Sequence, residues 1–186
     1  MEGSKRSAEE DRSSWRVVPA VPGDAAVMAR FWVRLMDEEA PPLFRAGTEG
    51  LSRAEKAFDR MLAQRATYRG FLLYPVSTLP AGGREARGEG AVREPGGFIL
   101  GSVYERLYGE PSRAGNIMHW YVLPELRGRG EGGRLYHALM DWFRAEEVES
   151  VEVMARAEPS RTAAWSRQGF SVVLDLLVMR APWSSD

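Results

Sequence analysis

The most informative segment of this 186-residue chain reads Val122-Leu123-Pro124-Glu125-Leu126-Arg127-Gly128-Arg129-Gly130-Glu131-Gly132-Gly133-Arg134-Leu135. A strand is predicted to end at Val122, and a helix with one apolar face is predicted to begin after the glycines. Glycine weakens the start of a helix, so four glycines within six positions need a reason. A glycine-rich turn before a helix lets the backbone approach a ligand closely, and its free N–H groups attract phosphate. The segment therefore predicts an anion site, to which Arg127, Arg129 or Arg134 could add charge-assisted hydrogen bonds.

Two common phosphate-binding motifs do not fit this turn. A Walker A motif needs Gly-x4-Gly-Lys-Ser/Thr, but Gly128 and Gly133 are followed by Arg134 and Leu135. A dinucleotide-binding Gly-x-Gly-x-x-Gly is formally present from Gly128 to Gly133. It stands too far from the preceding strand, and too little chain follows it for the several strand–helix units that such a fold needs.

The pattern Arg-x-x-Gly-x-Gly remains, and it is met by Arg127, Gly130 and Gly132 behind a Val-x-Pro step at Val122 and Pro124. In these residues the segment resembles the signature strand, loop and helix of the GNAT superfamily of N-acetyltransferases. The resemblance implies a single α/β domain, in which helices flank a central mixed and mostly antiparallel sheet.

Hydrophobic spacing along the rest of the chain predicts the same class of fold. The order is a strand, two helices and three strands, followed by helix, strand, helix and strand, which indicates one mixed α/β domain. The first helix is expected to be capped by Asp24 and to end near Glu39, and the second to begin with a capping box at Ser52. The last strand is predicted at 170–179.

Composition predicts where the domain lies within the chain. Residues 1–14 are polar and predict a disordered N-terminal tail. A glycine-rich stretch at about 77–96 predicts a flexible insertion between two strands. The acetyltransferase-like domain is therefore expected to span 15–182, with a short C-terminal tail at 183–186.

Charge and residue usage exclude several classes of function. The 25 basic and 26 acidic residues leave a net charge of −1, which argues against nucleic acid or an anionic membrane as a partner. The absence of cysteine excludes disulfides, thiolate nucleophiles and cysteine-ligated metals, and two histidines cannot form a three-histidine metal site. These counts lead us to expect a protein that uses no metal. No apolar run is long enough to span a bilayer, so we also expect a cytoplasmic protein.

The resemblance also implies which residues hold the co-substrate, acetyl-CoA. The backbone of Trp120, Tyr121 and Val122 is expected to bind the pantetheine arm as an added strand would. The diphosphate is expected on the amides of the loop residues Arg127, Gly128, Arg129, Gly130, Glu131 and Gly132. A neutral amine then attacks the thioester directly, and this needs no covalent enzyme intermediate.

Catalytic and acceptor-binding residues are less sharply indicated. His119 lies three residues before Val122 and titrates near neutrality, so it could act as general base, directly or through water; the alternative is a hydrogen-bonded structural histidine. Three acidic residues at the end of the first helix, Asp37, Glu38 and Glu39, could attract a cationic amine, or could simply form a solvated helix end. The tyrosine usual in the family falls on Trp165, whose indole cannot protonate a thiolate. Ser166, Tyr121 or water would then take that role, or the thiolate would leave unprotonated.

The function that this pattern predicts is transfer of an acetyl group from acetyl-CoA to a primary amine of a small molecule or peptide. Two alternatives stay open. The first is a GNAT-like module that binds acyl-CoA as a sensor or scaffold without turnover, and the second is an acyltransferase that uses a longer acyl-CoA. A homodimer is compatible with the sequence, which leaves the acceptor amine, the acyl length and the pathway open.

Overall fold

A computed structural model describes residues 14–39, 47–76, 94–107, 111–155 and 158–173, without the side chains of 159–161. The elements in chain order are β1 (Trp15–Pro19), α1 (Ala25–Glu39), α2 (Gly50–Ala63), β2 (Tyr68–Pro75), β3 (Gly97–Glu105), β4 (Arg113–Val122), α3 (Glu131–Ala145), β5 (Ser150–Val153) and α4 (Pro159–Ser166). Short 3-10 turns precede α1 and follow β4. The predicted N-terminal tail, most of the insertion and the C-terminal tail lie outside the described residues.

The five described strands form one sheet in the order β1-β2-β3-β4-β5. The first four are antiparallel to their neighbours, and β5 runs parallel to β4. This confirms the predicted mixed and mostly antiparallel sheet. Leu100 lies opposite His119 whereas Gly101 lies opposite Ile117, so Met118 is an extra residue on β4 and forms a β-bulge.

The helices cover both faces of the sheet, which gives two apolar cores. On one face α1 and α2 bury residues that include Met28, Phe31, Phe58, Leu72, Phe98, Leu100 and Tyr121. On the other face α3 packs against Phe71, Leu73, Ile99, Ile117 and Val122. A Cβ at Gly101 would lie 2.8 Å from Leu139, and one at Gly115 would lie 2.9 Å from Phe143. These glycines allow α3 to lie close against the sheet.

One predicted helix start agrees with the structure and the other differs from it. The second helix begins at Gly50, so the capping box predicted at Ser52 is wrong; the chain already turns at Gly47, whose carbonyl accepts a hydrogen bond from the Gly50 N–H at 2.7 Å. Asp24 directly precedes α1, the position predicted for the cap, and its carboxylate accepts a hydrogen bond from Val21 N–H at 2.9 Å, which closes the 3-10 turn.

The end of α4 explains the glycine–phenylalanine pair that follows it. Gly169 has φ 91°, a left-handed conformation that favours glycine, and Phe170 N–H donates to the Trp165 carbonyl at 3.1 Å. The Phe170 ring then packs on Trp165 with 5.1 Å between ring centroids. Residues 170–173 are not in a strand, and the rest of the strand predicted at 170–179 lies outside the described residues.

Candidate active site

The carboxyl end of β4 has one open edge. On one side β3 pairs with β4 as far as Val122, whereas on the other side β5 pairs only with Ala114–Ile117. Among the described residues, no strand pairs with the far edge of β4 beyond Ile117. Backbone groups at this edge can therefore receive an extended ligand in the way that a sheet receives an added strand. Trp120, Tyr121 and Val122, the three residues predicted to hold the pantetheine arm, lie on this part of β4.

The turn after β4 leads directly into the N-terminus of α3. Gly128 has φ 75° and Gly130 has φ 90°, and among the described residues no atom other than those of the chain neighbours lies within 4 Å of the place that a Cβ would take at either residue. Both conformations are unfavourable for residues with a side chain, which explains these two glycines. The first backbone N–H groups of α3 have no acceptor within the helix and carry its partial positive charge. The turn thus combines open space with hydrogen-bond donors suited to an anion.

Arg127 and Arg134, which lie on either side of the glycines, are both bonded to carboxylates. Arg127 donates from Nε to the Val122 carbonyl at 2.9 Å and from Nη2 to Glu38 Oε2 at 2.6 Å. Arg134 pairs at 3.0 Å with Glu131, the first residue of α3, which is only 3% exposed. The backbone amides at the start of α3 are donors that the turn offers to a diphosphate, and the Arg129 side chain is exposed.

The structure brings Glu38 onto the end of β4. The Tyr121 hydroxyl donates to Glu38 Oε1 at 2.6 Å, and the Arg127 guanidinium lies 5.2 Å above the Tyr121 ring. Partial burial disfavours the Glu38 carboxylate, but hydrogen bonds from Tyr121 and Arg127 outweigh it and lower its pKa. Burial and the bond to Glu38 raise the pKa of Tyr121 to about 12. Asp37 is exposed and Glu39 is half-buried.

His119 faces α1 and α2, on the opposite side of the sheet from α3. Its imidazole lies edge-on between the rings of Trp32, at 6.4 Å, and Phe58, at 5.8 Å. Burial in these surroundings lowers the pKa of His119 to about 4, well below the value near neutrality expected from the sequence. No hydrogen bond links the imidazole to another described residue. At neutral pH the ring is uncharged and can accept a proton.

The Trp120 side chain lies on the other face of the sheet, where it packs against α3 and α4. Its indole stacks on Tyr136 at 5.8 Å and meets Trp165 edge-on at 5.7 Å. A Cβ at Gly132 would lie 3.2 Å from the Trp120 ring, so a glycine here lets the first turn of α3 rest on the indole. The indole Nε1 is buried without a hydrogen-bond partner among the described residues.

The family assignment follows from comparison with known sequences. A family model described as the acetyltransferase (GNAT) family matches residues 49–170. The chain belongs to this family. The matched part of this GNAT protein includes β4, the glycine turn, α3 and α4. Comparison with curated proteins gave no match.

Solved acetyltransferase structures share the fold of this GNAT chain. A predicted acetyltransferase from Clostridium acetobutylicum with acetyl-CoA is 12% identical, with a TM-score of 0.67, and covers 89% of this chain and 96% of that one. An aminoglycoside acetyltransferase from an uncultured soil metagenomic sample, in complex with sisomicin, is 13% identical, with a TM-score of 0.60 and coverage of 94% and 99%. The ribosomal-protein-alanine N-acetyltransferase of Brucella melitensis biovar Abortus 2308 is 18% identical, with a TM-score of 0.56 and coverage of 90% and 100%.

The aromatic walls of the site were not predicted as functional. Trp32 and Phe58 occur at helical spacing on α1 and α2, and that pattern indicates only an inward face. They contact His119 because the bulge at Met118 directs this histidine towards the same helices. In the described ranges, no cluster of three or more His, Asp or Glu residues could hold a metal ion, and no helix is long and apolar enough to cross a membrane.

Proposed function

We propose that this GNAT protein transfers an acetyl group from acetyl-CoA to a primary amine of a small molecule or a peptide. The observation that carries the proposal is the open edge of β4, which ends beside a glycine turn at the N-terminus of α3. An extended arm with a diphosphate at one end matches this arrangement. The composition supports a cytoplasmic enzyme that acts without a metal.

In this proposal, the co-substrate lies along β4 with its diphosphate at the turn. Pantetheine pairs with the backbone of Trp120, Tyr121 and Val122, and the amides of 127–132 receive the diphosphate. Three strand residues span about 10 Å, so the arm runs from the turn back towards the bulge at Met118. The thioester end therefore approaches the part of β4 from which His119 projects.

The chemical step needs a group that accepts the proton of the attacking amine. The amine nitrogen attacks the carbonyl carbon of the thioester, an N–C bond forms, and the C–S bond breaks with its electron pair remaining on sulfur. The attacking nitrogen becomes acidic as it gains positive charge, so a neutral imidazole can accept its proton, directly or through water; the low pKa of His119 keeps the ring neutral but makes it a weak base. We assign this role to His119. The sulfur leaves as thiolate or takes a proton from water, because the Tyr121 hydroxyl already donates to Glu38.

The acceptor class rests on charge at the site and on the similar structures. Asp37 and Glu39 at the end of α1 can attract an ammonium group before it loses its proton. Two structures with the same fold are named as acetyltransferases of amines, an aminoglycoside acetyltransferase and a ribosomal-protein-alanine N-acetyltransferase. A third is described with acetyl-CoA. These similarities favour an amine acceptor and acetyl-CoA as donor.

A thiol-release assay with a panel of amines tests the proposal. The panel contains an aminoglycoside, a polyamine, aromatic monoamines and a peptide with a free N-terminus, each offered with acetyl-CoA and with a longer acyl-CoA. We expect thiol release above hydrolysis with acetyl-CoA and at least one amine. Tight CoA binding without release for any amine would instead support the sensor, and release only with the longer donor would support the other acyltransferase.

A further inference from the structure

We propose that Glu38 is a positioning residue: through Arg127 and Tyr121 it holds the glycine turn in the shape that binds the co-substrate. The inference rests on the proposed function, since it assigns Glu38 to the same site. It differs from the role expected from the sequence, in which Glu38 attracts the amine. Glu38 also precedes the residues that the family model matches, 49–170.

The spacing of residues on α1 explains why Glu38 reaches the end of β4. Phe31, Leu35 and Glu38 stand at i, i+4 and i+7 and therefore share one face of the helix. Phe31 and Leu35 are 3% and 6% exposed, and the Phe31 ring lies 5.8 Å from the ring of Tyr121. The buried stripe of α1 thus runs along the sheet and places a carboxylate over the hydroxyl of Tyr121.

Each oxygen of this carboxylate has its own donor. Oε1 accepts from the Tyr121 hydroxyl and Oε2 from Arg127 Nη2, both at 2.6 Å. The same guanidinium donates from Nε to the Val122 carbonyl at 2.9 Å and covers the Tyr121 ring. One carboxylate therefore connects α1, the last residues of β4 and the first residue of the turn.

This connection matters for binding because Arg127 is followed by glycines. Gly128 and Gly130 have positive φ, and glycine has more backbone conformations open to it than any other residue, so a fixed point beside them restricts the turn. An anchored Arg127 limits the conformations of the turn before the ligand arrives and reduces the entropy lost on binding. Because Glu38 and Arg127 have side chains that are 37% and 45% exposed, the ion pair itself adds little to global stability. Its main effect should appear in the affinity for the co-substrate.

Three roles for Glu38 predict three different results when the carboxylate is removed. If Glu38 positions the turn, Glu38→Ala weakens CoA binding. If the carboxylate merely neutralises Arg127, its removal frees a positive charge for the phosphates and strengthens CoA binding. If Glu38 receives the amine, the KM for the acceptor rises and CoA binding is unchanged.

The experiment measures CoA binding by calorimetry and the two KM values by thiol release, with Tm to confirm folding. The variants are Glu38→Ala, Arg127→Gln and their double mutant. Glu125→Gln is the matched control, because it removes a negative charge from an exposed residue two positions before Arg127. For Glu38→Ala we expect a CoA Kd raised by about 3- to 10-fold, a similar rise in the KM for acetyl-CoA, and a smaller change in kcat. The control should bind CoA at least as tightly as the wild type.

The double mutant tests whether Glu38 acts through Arg127. Because the two residues form one unit, Glu38→Ala should weaken CoA binding much less when Arg127 is already replaced. Tighter or unchanged CoA binding in a folded Glu38→Ala variant overturns the inference and leaves the proposed function intact. Absence of CoA binding by the wild type overturns the proposed function and the inference with it.

Discussion

A negative charge at Gly133 should separate binding of the diphosphate from folding. Gly133 is the third residue of α3, and, apart from the backbone of α3 and its chain neighbours, no atom of the described residues lies within 4 Å of the place that its Cβ would take. Gly133→Asp therefore introduces a carboxylate into open space without a clash. An acidic residue in the first turn is favourable for a helix, by about 0.3–1 kcal/mol, so the Tm should stay constant or rise.

The same charge should repel the diphosphate. At about 7 Å and an effective dielectric constant of about 40, Coulomb's law gives about 1.2 kcal/mol for each phosphate charge, or about 2.4 kcal/mol for two. This corresponds to an affinity lowered by about 50-fold at low salt. At physiological salt the Debye length is about 8 Å, and the loss should shrink to about fivefold.

The assay is calorimetric titration of CoA at low and physiological salt, with Gly133→Asn as a control of nearly the same shape without charge. We expect the asparagine variant to bind like the wild type to within about twofold, because the added side chain meets no neighbour. If a folded Gly133→Asp variant binds CoA as tightly as Gly133→Asn at low salt, the diphosphate does not lie at the N-terminus of α3.

Three further predictions concern His119, Gly130 and Trp165. Because burial lowers the pKa of His119 to about 4, the unfolded chain takes up a proton before the folded one as the pH falls below about 6.5. As the pH falls from about 6.5 to about 4, the wild type should therefore lose stability, and His119→Gln should lose less. If the Tm of the two proteins depends on pH in the same way, the ring is not buried as described. Gly130→Ala forces a side chain into φ 90° and should cost about 1–2 kcal/mol in chemical denaturation, so an unchanged stability would show that the turn relaxes freely. Trp165→Tyr should leave turnover unchanged or raise it, and a severe loss of turnover in the folded variant would assign the indole a positioning role. Trp165→Ala should lower the free energy of unfolding by about 2 kcal/mol, because it removes the contacts with Trp120 and Phe170.

Most of the fold could be predicted from the sequence because local patterns determined it. The apolar spacing of α1 and α3 and the glycines at 128 and 130 reflect constraints within a few residues. The start of α2 could not be predicted in the same way. Ser52 has the sequence of a capping box, yet the turn at Gly47 starts the helix earlier.

The sequence indicates which strand end and turn form the candidate site, but it does not indicate the contacts between them and the helices. The open edge of β4 and the turn are local features of one segment. In contrast, the bond between Glu38 and Arg127 joins residues 89 positions apart, and no periodicity within one element indicates it. The low pKa of His119 likewise depends on Trp32 and Phe58 from two other helices. Such tertiary contacts decide which of several acidic residues reaches the site.

The most direct test of the account is to follow a labelled acetyl group. The protein is incubated with an amine from the panel and acetyl-CoA that carries deuterium in its methyl group, and the mass of the amine and the amount of free CoA thiol are measured together. The account predicts an amine that gains one deuterated acetyl group for each thiol released, and much slower labelling with Gly133→Asp at low salt and subsaturating acetyl-CoA. Thiol release without labelled amine, or labelling at an equal rate in that variant under the same conditions, would contradict it.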